Sequence, residues 1–191
     1  MKVQINDMVR RVYALLNENE SIIEERVEYG DPDAMIRPLI IDLLPDAARA
    51  VLLEMPLDRI NGCRKLDNIA VENDGIRNIL LPSDFLRLVY VRLAGVREGI
   101  ATPLAFGGGE YQLRVASDGS ASRRRSTPAV AVRNCGDEKR LEIFGWPQTQ
   151  RVEKLLYVPL PEMTPFTIEL PPGAISDVCR RTAEMVSEVI G

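Results

Sequence analysis

Residues 81–93, LPSDFLRLVYVRL, decide the fold class of this 191-residue chain more than any other stretch. From Phe85 to Leu93 the run is nearly continuous in apolar and β-branched residues. A strand with one wet face alternates polar with apolar residues, whereas an unbroken run is typical of a strand covered on both faces. We therefore predict a buried strand over 85–93.

The sequence on both sides of this strand also has the short period of β-structure. Upstream, Asn73-Asp74-Gly75 predicts a hairpin turn, because glycine adopts a positive φ without steric penalty. The strands that this turn would join lie at 68–72 and 76–81. Downstream, three shorter strands are predicted, at 129–132, 140–144 and 152–158.

Helical periodicity appears nearer the two ends of the chain. Apolar residues recur there at i, i+3, i+4 and i+7, which draws one apolar stripe along each segment. The predicted helices lie near 3–17, 34–54 and 174–190. Pro45 falls inside the second helix, where it removes a backbone donor and crowds a carbonyl. We therefore expect a kink or a break at Pro45.

Together these elements predict an α+β fold, a helical bundle packed with a small antiparallel β-sheet. At 191 residues the chain fits a single domain, 1–191. Within it, 1–56 would hold the N-terminal helices, 66–160 the β-rich part and 171–191 the C-terminal helix.

A long excursion, 94–127, interrupts the predicted strands. It contains Gly107-Gly108-Gly109, Ser117 to Ser122 and then Arg123-Arg124-Arg125. Small polar residues of this kind bury too little apolar area to offset the cost of ordering the chain. We expect a long loop with a short helix around 110–115, and loops of this length are commonly functional or disordered.

Composition and charge argue against several classes of protein. The net charge is −4 and the isoelectric point is about 5.1, whereas domains that clamp nucleic acid by its phosphates are usually basic. The three cysteines are far apart, which argues against a disulfide framework and for a reducing compartment. Neither a signal peptide nor a membrane span is evident. We expect a soluble product, intracellular or released by lysis.

Catalysis is not the favoured interpretation, because the chain has no histidine. This excludes histidine-based nucleophile pairs and histidine-containing zinc sites. The favoured prediction is therefore no catalytic residue, no cofactor and no metal. An alternative is a carboxylate-based, metal-dependent enzyme whose hard cation would be held by clustered acids. The acids in question are Glu24, Glu25, Asp31 and Asp33, with Glu28 between them. They lack the ligand spacing of a calcium loop, so a solvated acidic face is the favoured interpretation of them.

Two features could instead contact another protein. Arg123-Arg124-Arg125 has few acids nearby, and the planar guanidinium group suits carboxylates and phosphates alike. Trp146 stands between Gly145 and Pro147, either as a packed corner or as an exposed anchor for a partner. We take Arg123, Arg124, Arg125 and Trp146 as the candidate protein-interface residues, with a solvated loop as the alternative interpretation of the arginine run.

Several phrases, in this order, carry a family resemblance. They are Leu81-Pro82-Ser83-Asp84-Phe85, then Pro128-Ala129-Val130-Ala131 with Leu141-Glu142-Ile143-Phe144, then Leu155 to Pro161 with Ile168-Glu169-Leu170-Pro171. They resemble the head-to-tail adaptor, or connector, proteins of tailed bacteriophages, the tail tubular protein A-like group. The likeness spans most of the chain. The long polar loop, Pro38 and Pro45 depart from the family's pattern.

The resemblance implies a structural role in the virion, at the head–tail junction, after synthesis in the bacterial cytoplasm. Subunits of that family form a ring, commonly of twelve copies, that docks on the portal protein and meets tail proteins. Double-stranded DNA would pass through the ring without specific binding, and no membrane would be involved. The alternatives to this function are the metal-dependent enzyme above and an intracellular protein-interaction module unrelated to phage.

Overall fold

The structure is a computed structural model that describes residues 1–17, 32–117, 127–136, 138–145 and 151–190. Within these ranges the chain forms four α-helices and nine β-strands. The helices are α1 (Ile5–Asn17), α2 (Pro32–Glu54), α3 (Gly109–Ser117) and α4 (Ile175–Ile190). The strands are β1 (Lys2–Gln4), β2 (Arg64–Ala70), β3 (Glu72–Asp74), β4 (Ile76–Leu80), β5 (Phe85–Leu93), β6 (Ala129–Cys135), β7 (Glu138–Phe144), β8 (Arg151–Pro159) and β9 (Thr167–Glu169).

The chain divides into two compact units. The helical unit contains both ends of the chain, Met1–Gly62 and Leu160–Gly191. The sandwich unit is the intervening stretch, Cys63–Pro159. The polypeptide thus leaves the helical unit once and returns to it once.

In the helical unit, α1, α2 and α4 pack through their apolar stripes. Met8, Leu44 and Val178 are fully buried representatives of the three helices. The two short strands β1 and β9 pair antiparallel beside them, with Val3 opposite Ile168. The terminal amine of Met1 donates a hydrogen bond of 2.9 Å to the Leu170 carbonyl, so the start of the chain is fixed to its last quarter.

Of the kink or break that Pro45 predicts in α2, the break is wrong, and the kink stays a prediction. The helix runs from Pro32 to Glu54 with both Pro38 and Pro45 inside it. A proline costs one hydrogen bond and a local clash, of the order of 3 kcal/mol. Ile40, Leu44, Ala47 and Ala48 are fully buried around Pro45, and burial of this stripe offsets that local cost.

The sandwich unit consists of two antiparallel sheets that share one core. The strand order is β2-β8-β5 in the first sheet and β3-β4-β7-β6 in the second. Phe85, Val91 and Leu155 of the first sheet pack in the same apolar cluster as Ile79, Leu141 and Ile143 of the second. The turn predicted at Gly75 is confirmed: β3 and β4 meet there, and the φ of Gly75 is +88°. The strand predicted at 68–72 is wrong as the partner of 76–81, because residues up to Ala70 belong to β2, which pairs with β8, and only Glu72–Asp74 pair with β4.

The start of β5 is a compact turn built by the LPSDF residues. The amide of Phe85 donates to the Pro82 carbonyl at 2.9 Å, and the amide of Leu81 donates to the Lys139 carbonyl at 2.9 Å. The Phe85 ring, 1% exposed, stacks on Tyr157 with 5.6 Å between ring centroids. Asp84 accepts hydrogen bonds from the Tyr157 hydroxyl at 3.0 Å and from Arg64. This motif therefore ties β5 to β8 and β7.

The predicted fold class, a helical bundle with one small sheet, is wrong in its proportions. The described residues form three antiparallel sheets with nine strands, and about a third of these residues lie in strands. The missing strands escaped prediction for physical reasons. β1 and β9 have three residues each, too few to display a period. The missed part of β2, residues 64–67, is polar at three of its four positions because β2 lies at a sheet edge.

None of the helices in the described ranges has both the length and the apolar composition that crossing a bilayer requires.

Candidate functional site

The predicted interface residues Arg123, Arg124, Arg125 and Trp146 lie outside the described residues. The same holds for Glu24, Glu25, Glu28 and Asp31, and for the side chain of Asp33. The chain on either side of the arginine run is described, however, up to Ser117 and again from Thr127. The candidate site is therefore approached from the residues that hold those two points.

The described part of the 94–127 excursion is bound to the edges of both sheets. Val91 and Ile100 exchange two backbone hydrogen bonds, of 2.8 and 2.7 Å, at the free edge of β5. The amide of Leu104 donates to the Val130 carbonyl at 2.7 Å, at the free edge of β6. Unpaired strand edges invite unwanted pairing, so this segment also covers two edges of the sandwich.

The predicted short helix around 110–115 is confirmed, and it extends over Gly109–Ser117 as α3. One side chain, Tyr111, anchors it to the second sheet. The Tyr111 ring is 6% exposed and meets Phe144 edge-on, at 5.6 Å between centroids, and Phe106 at 4.8 Å. Aromatic pairs in these geometries add about 0.5–1.5 kcal/mol beyond the area they bury.

The Tyr111 hydroxyl is hydrogen-bonded to a buried carboxylate. It donates a hydrogen bond of 2.7 Å to Glu142 on β7, and Arg133 on β6 donates one of 3.2 Å to the other oxygen of that carboxylate. Glu142 is 3% exposed. A buried carboxylate is tolerated only when it is paired and hydrogen-bonded, and here the two donors come from different elements. Glu142 therefore joins α3, β6 and β7.

A second link closes the gap between α3 and β6. Arg114 of α3 donates to the Thr127 carbonyl at 2.9 Å, and its guanidinium lies 3.6 Å from the Glu110 carboxylate. Thr127 stands just before β6. We name Tyr111, Arg114, Thr127, Arg133 and Glu142 the loop base, because they fix the two points between which residues 118–126 run.

The electrostatics of the loop base suit anchoring. Burial, followed by the hydrogen bond to Glu142 and the charge of that carboxylate, raises the pKa of Tyr111 to about 12. The hydrogen bond to Glu142 also raises the pKa of Arg133. At neutral pH Tyr111 thus keeps its proton and Arg133 its charge, so both remain hydrogen-bond donors to Glu142.

This arrangement predicts a loss of stability in strong alkali. The pKa of Tyr111 is higher in the folded chain, about 12, than the usual value of about 10 expected when unfolded. The unfolded chain then releases this proton first, so the contribution of Tyr111 is complete below about pH 10 and is lost as the pH rises through about 12. Comparing denaturant unfolding of wild type and Tyr111→Phe across this range measures it. Between about pH 10 and pH 12, the free energy of unfolding should fall less for Tyr111→Phe than for wild type. Equal falls for the two proteins would contradict the hydrogen bond from Tyr111 to Glu142.

Other polar groups in the structure do not form a comparable site. In the helical unit, the C-terminal end of α2 and α4 border an open groove of about 270 Å³, lined by apolar residues and by equal numbers of arginines and acids. Within the described ranges, no three of the cysteine, aspartate and glutamate side chains are grouped so that they could hold a metal ion.

Sequence reasoning missed the loop base, although one signal for it was present. Glu142 stands in β7 among Leu141, Ile143 and Phe144, which are all fully buried. A carboxylate in such a run is almost never buried without a partner, so it indicates a nearby donor. The partner Tyr111 lies 31 residues away, in a segment that composition marks as a loop. No protein-family model matches this chain, and no curated protein matches it in sequence.

Proposed function

We propose that this chain is a structural subunit of a phage or prophage head–tail connector ring. The subunit docks on the portal protein, meets tail proteins and lines part of the channel through which DNA leaves the head. It works without catalysis or cofactor. The observation that carries the proposal is the loop base, which holds both ends of the arginine-bearing segment 118–126.

The loop base supports this function because it presents a segment instead of enclosing a ligand. Holding a segment at both ends lowers the entropy that it loses when it contacts a partner. Arg123, Arg124 and Arg125 carry planar, bidentate donors that fit the carboxylates of a protein surface. A rigid base under such a segment is what a docking arm requires.

The sequence resemblance supports the proposal from a second direction. The LPSDF residues that carry part of it build the turn that starts β5, and Phe85 and Asp84 contact β8 through Tyr157. These residues, which carry part of the resemblance, therefore stabilise the contact between β5 and β8. The net charge of −4 suits a channel wall, because neutralised phosphates release counterions and would hold the DNA back.

The test is co-sedimentation with the portal protein encoded nearest to this chain, followed by electron microscopy of the pellet. We expect the portal ring to gain an additional layer of density at one end. A portal ring that stays bare under a saturating excess of this protein would contradict the proposal.

The arginine run should dominate this binding. Replacing Arg123, Arg124 and Arg125 with alanine should weaken portal binding by about tenfold or more, because arginine is enriched among the few interface residues whose truncation costs more than about 1 kcal/mol, and about 1.4 kcal/mol corresponds to tenfold in affinity. The matched control replaces three exposed arginines of the helical unit, Arg10, Arg11 and Arg180. Co-sedimentation at a series of portal concentrations measures both, and equal losses would show that only net charge matters.

A further inference from the structure

Charge is distributed unequally between the two units. The sequence of the helical unit has nine Lys and Arg against seventeen Asp and Glu, a net charge of −8. That of the sandwich unit has fifteen against eleven, a net charge of +4. Opposite net charges on two units of one chain favour contact between unlike units of different copies.

On the helical unit, the outer face of α2 offers a surface for such a contact. Its buried stripe includes Ile40 and Leu44, and the opposite face exposes Asp42 and Asp46, with Arg49 beyond them. Asp42 and Asp46 form no ion pair with any described residue. Like charges one helical turn apart repel by about 0.2–0.5 kcal/mol in the free subunit, a penalty that a cationic partner removes.

The outer face of α2 is also more apolar than a solvated face needs to be. Met35 is 75% exposed at its first turns and Leu53 is 42% exposed near its end. The face therefore presents two carboxylates framed by apolar side chains. Interfaces commonly combine a desolvated apolar part with a few charges that set orientation.

On the sandwich unit, cations outnumber acids where β5 ends and β8 begins, the acids there being Glu98, Glu153 and Asp67, which lies opposite Lys154. We name the cations of this region the basic sheet end. Arg97 and Arg151 are exposed there, and the Ala94 amide donates to the Arg151 carbonyl at 3.1 Å. Lys154 lies three residues further along β8 and is paired with Arg92 of β5 in the sheet register. Arg92 is paired with Glu153 at 2.8 Å, whereas Arg97, Arg151 and Lys154 have no ion-pair partner in the described ranges.

We infer that the outer face of α2 in one copy receives the basic sheet end of a second copy. Asp42 and Asp46 would face Arg97 and Arg151, and Met35 and Leu53 would lose water at the edges of the contact. The contact is heterologous, since different surfaces meet, so each copy keeps one free surface of each kind and further copies can add. The inference rests on the proposed function only for closure of the series into a ring.

The experiment measures the second virial coefficient of the free protein by static light scattering, with no portal present. The comparison is between about 0.01 M and about 1 M salt, where the Debye length falls from about 30 Å to about 3 Å. We expect attraction between copies at low salt that salt abolishes. Repulsion at low salt, which is the behaviour of a uniformly charged particle of net charge −4, would overturn the inference.

Two charge-reversed variants identify the surfaces. Asp42→Arg with Asp46→Arg reverses the outer face of α2, and Arg97→Glu with Arg151→Glu reverses the basic sheet end. Each variant alone should lose the low-salt attraction, by about tenfold in apparent association constant. An equimolar mixture should recover it, because each reversed surface then meets a complementary one. A mixture that shows no recovery would overturn the assignment of these surfaces.

A control separates the specific contact from net charge. Asp58→Arg with Glu188→Arg makes the same charge change at other exposed acids of the helical unit, and it should retain the wild-type attraction. If the control loses it equally, the inference falls. The portal experiment is independent: a chain that binds portal without this attraction refutes the contact, and one that shows the attraction without binding portal refutes the connector function.

Discussion

Replacement of Phe85 by alanine should lower the free energy of unfolding of the sandwich unit by about 3–5 kcal/mol, the usual cost of deleting a buried aromatic ring. Phe85 is 1% exposed and belongs to the core that the two sheets share. Its ring stacks on Tyr157 and lies 5.9 Å from the Lys139 amine, so the substitution also removes an aromatic pair and a cation–π contact. The total free energy of unfolding of a typical protein is only about 5–15 kcal/mol, so this loss is a large part of it.

Chemical denaturation, followed by the fluorescence of the single tryptophan and by circular dichroism, measures this change. The matched control is Phe166→Ala, because Phe166 is the same residue type at 76% exposure. That substitution should change the free energy of unfolding by no more than about 0.5 kcal/mol. Equal changes in the free energy of unfolding for the two substitutions would contradict burial of the Phe85 ring in the core that the two sheets share.

Replacement of Glu142 by alanine should cost about 3 kcal/mol. It leaves the buried Tyr111 hydroxyl without its acceptor, and an unsatisfied buried donor costs about 1–3 kcal/mol. Breaking a fully buried ion pair costs about 3–5 kcal/mol. The Arg133 side chain is 47% exposed and can turn to water, which places the expected cost at the lower end of that range.

The local effect of this substitution should be larger than the global one. Without Glu142, α3 loses its hydrogen bond to β7 and keeps the Arg114–Thr127 hydrogen bond, so amide hydrogen exchange in Gly109–Ser117 should accelerate more than in β4 or β8. Glu138→Ala is the control, since Glu138 lies on the same strand in an exposed pair with Arg140 at 3.3 Å. Unchanged exchange in α3 would mean that the aromatic contacts of Tyr111 and the Arg114–Thr127 hydrogen bond hold the helix without Glu142.

The loop base also connects stability to the proposed function. Variants that loosen α3 should weaken portal binding even though they leave the arginine run intact, because the segment then loses more entropy on docking. Measuring portal binding of Glu142→Ala beside the arginine variant distinguishes presentation of the segment from its charge.

Elements with a strong and uninterrupted pattern could be predicted from the sequence. The strand at 85–93 and the three long helices agree with the structure to within about two residues, which is the usual uncertainty of an element boundary. Burial of one face leaves a helical period in the three helices, and burial of both faces leaves the unbroken apolar run of 85–93. The Gly75 hairpin was readable because the turn geometry itself requires glycine.

The remaining features depend on partners that are distant in the sequence. β1 forms only because β9 lies beside it, and neither has a pattern of its own. The anchoring of α3 depends on Glu142 and Arg133, which the fold brings to Tyr111 from other strands. Local composition marked this segment as polar and loop-like, and tertiary hydrogen bonds overrode that tendency. For the same reason, the proportion of sheet was underestimated.

The division of the chain has a consequence for its synthesis on the ribosome. The sandwich unit is contiguous, so it can fold as soon as Pro159 has emerged from the exit tunnel. The helical unit has to wait, because Met8 of α1 packs against Cys179 of α4, 171 residues later. At about 5–20 residues per second, α1 remains without its partner helix for roughly 10–30 s. We therefore expect nascent chains to depend on chaperones at their N-terminal helices until α4 has left the exit tunnel.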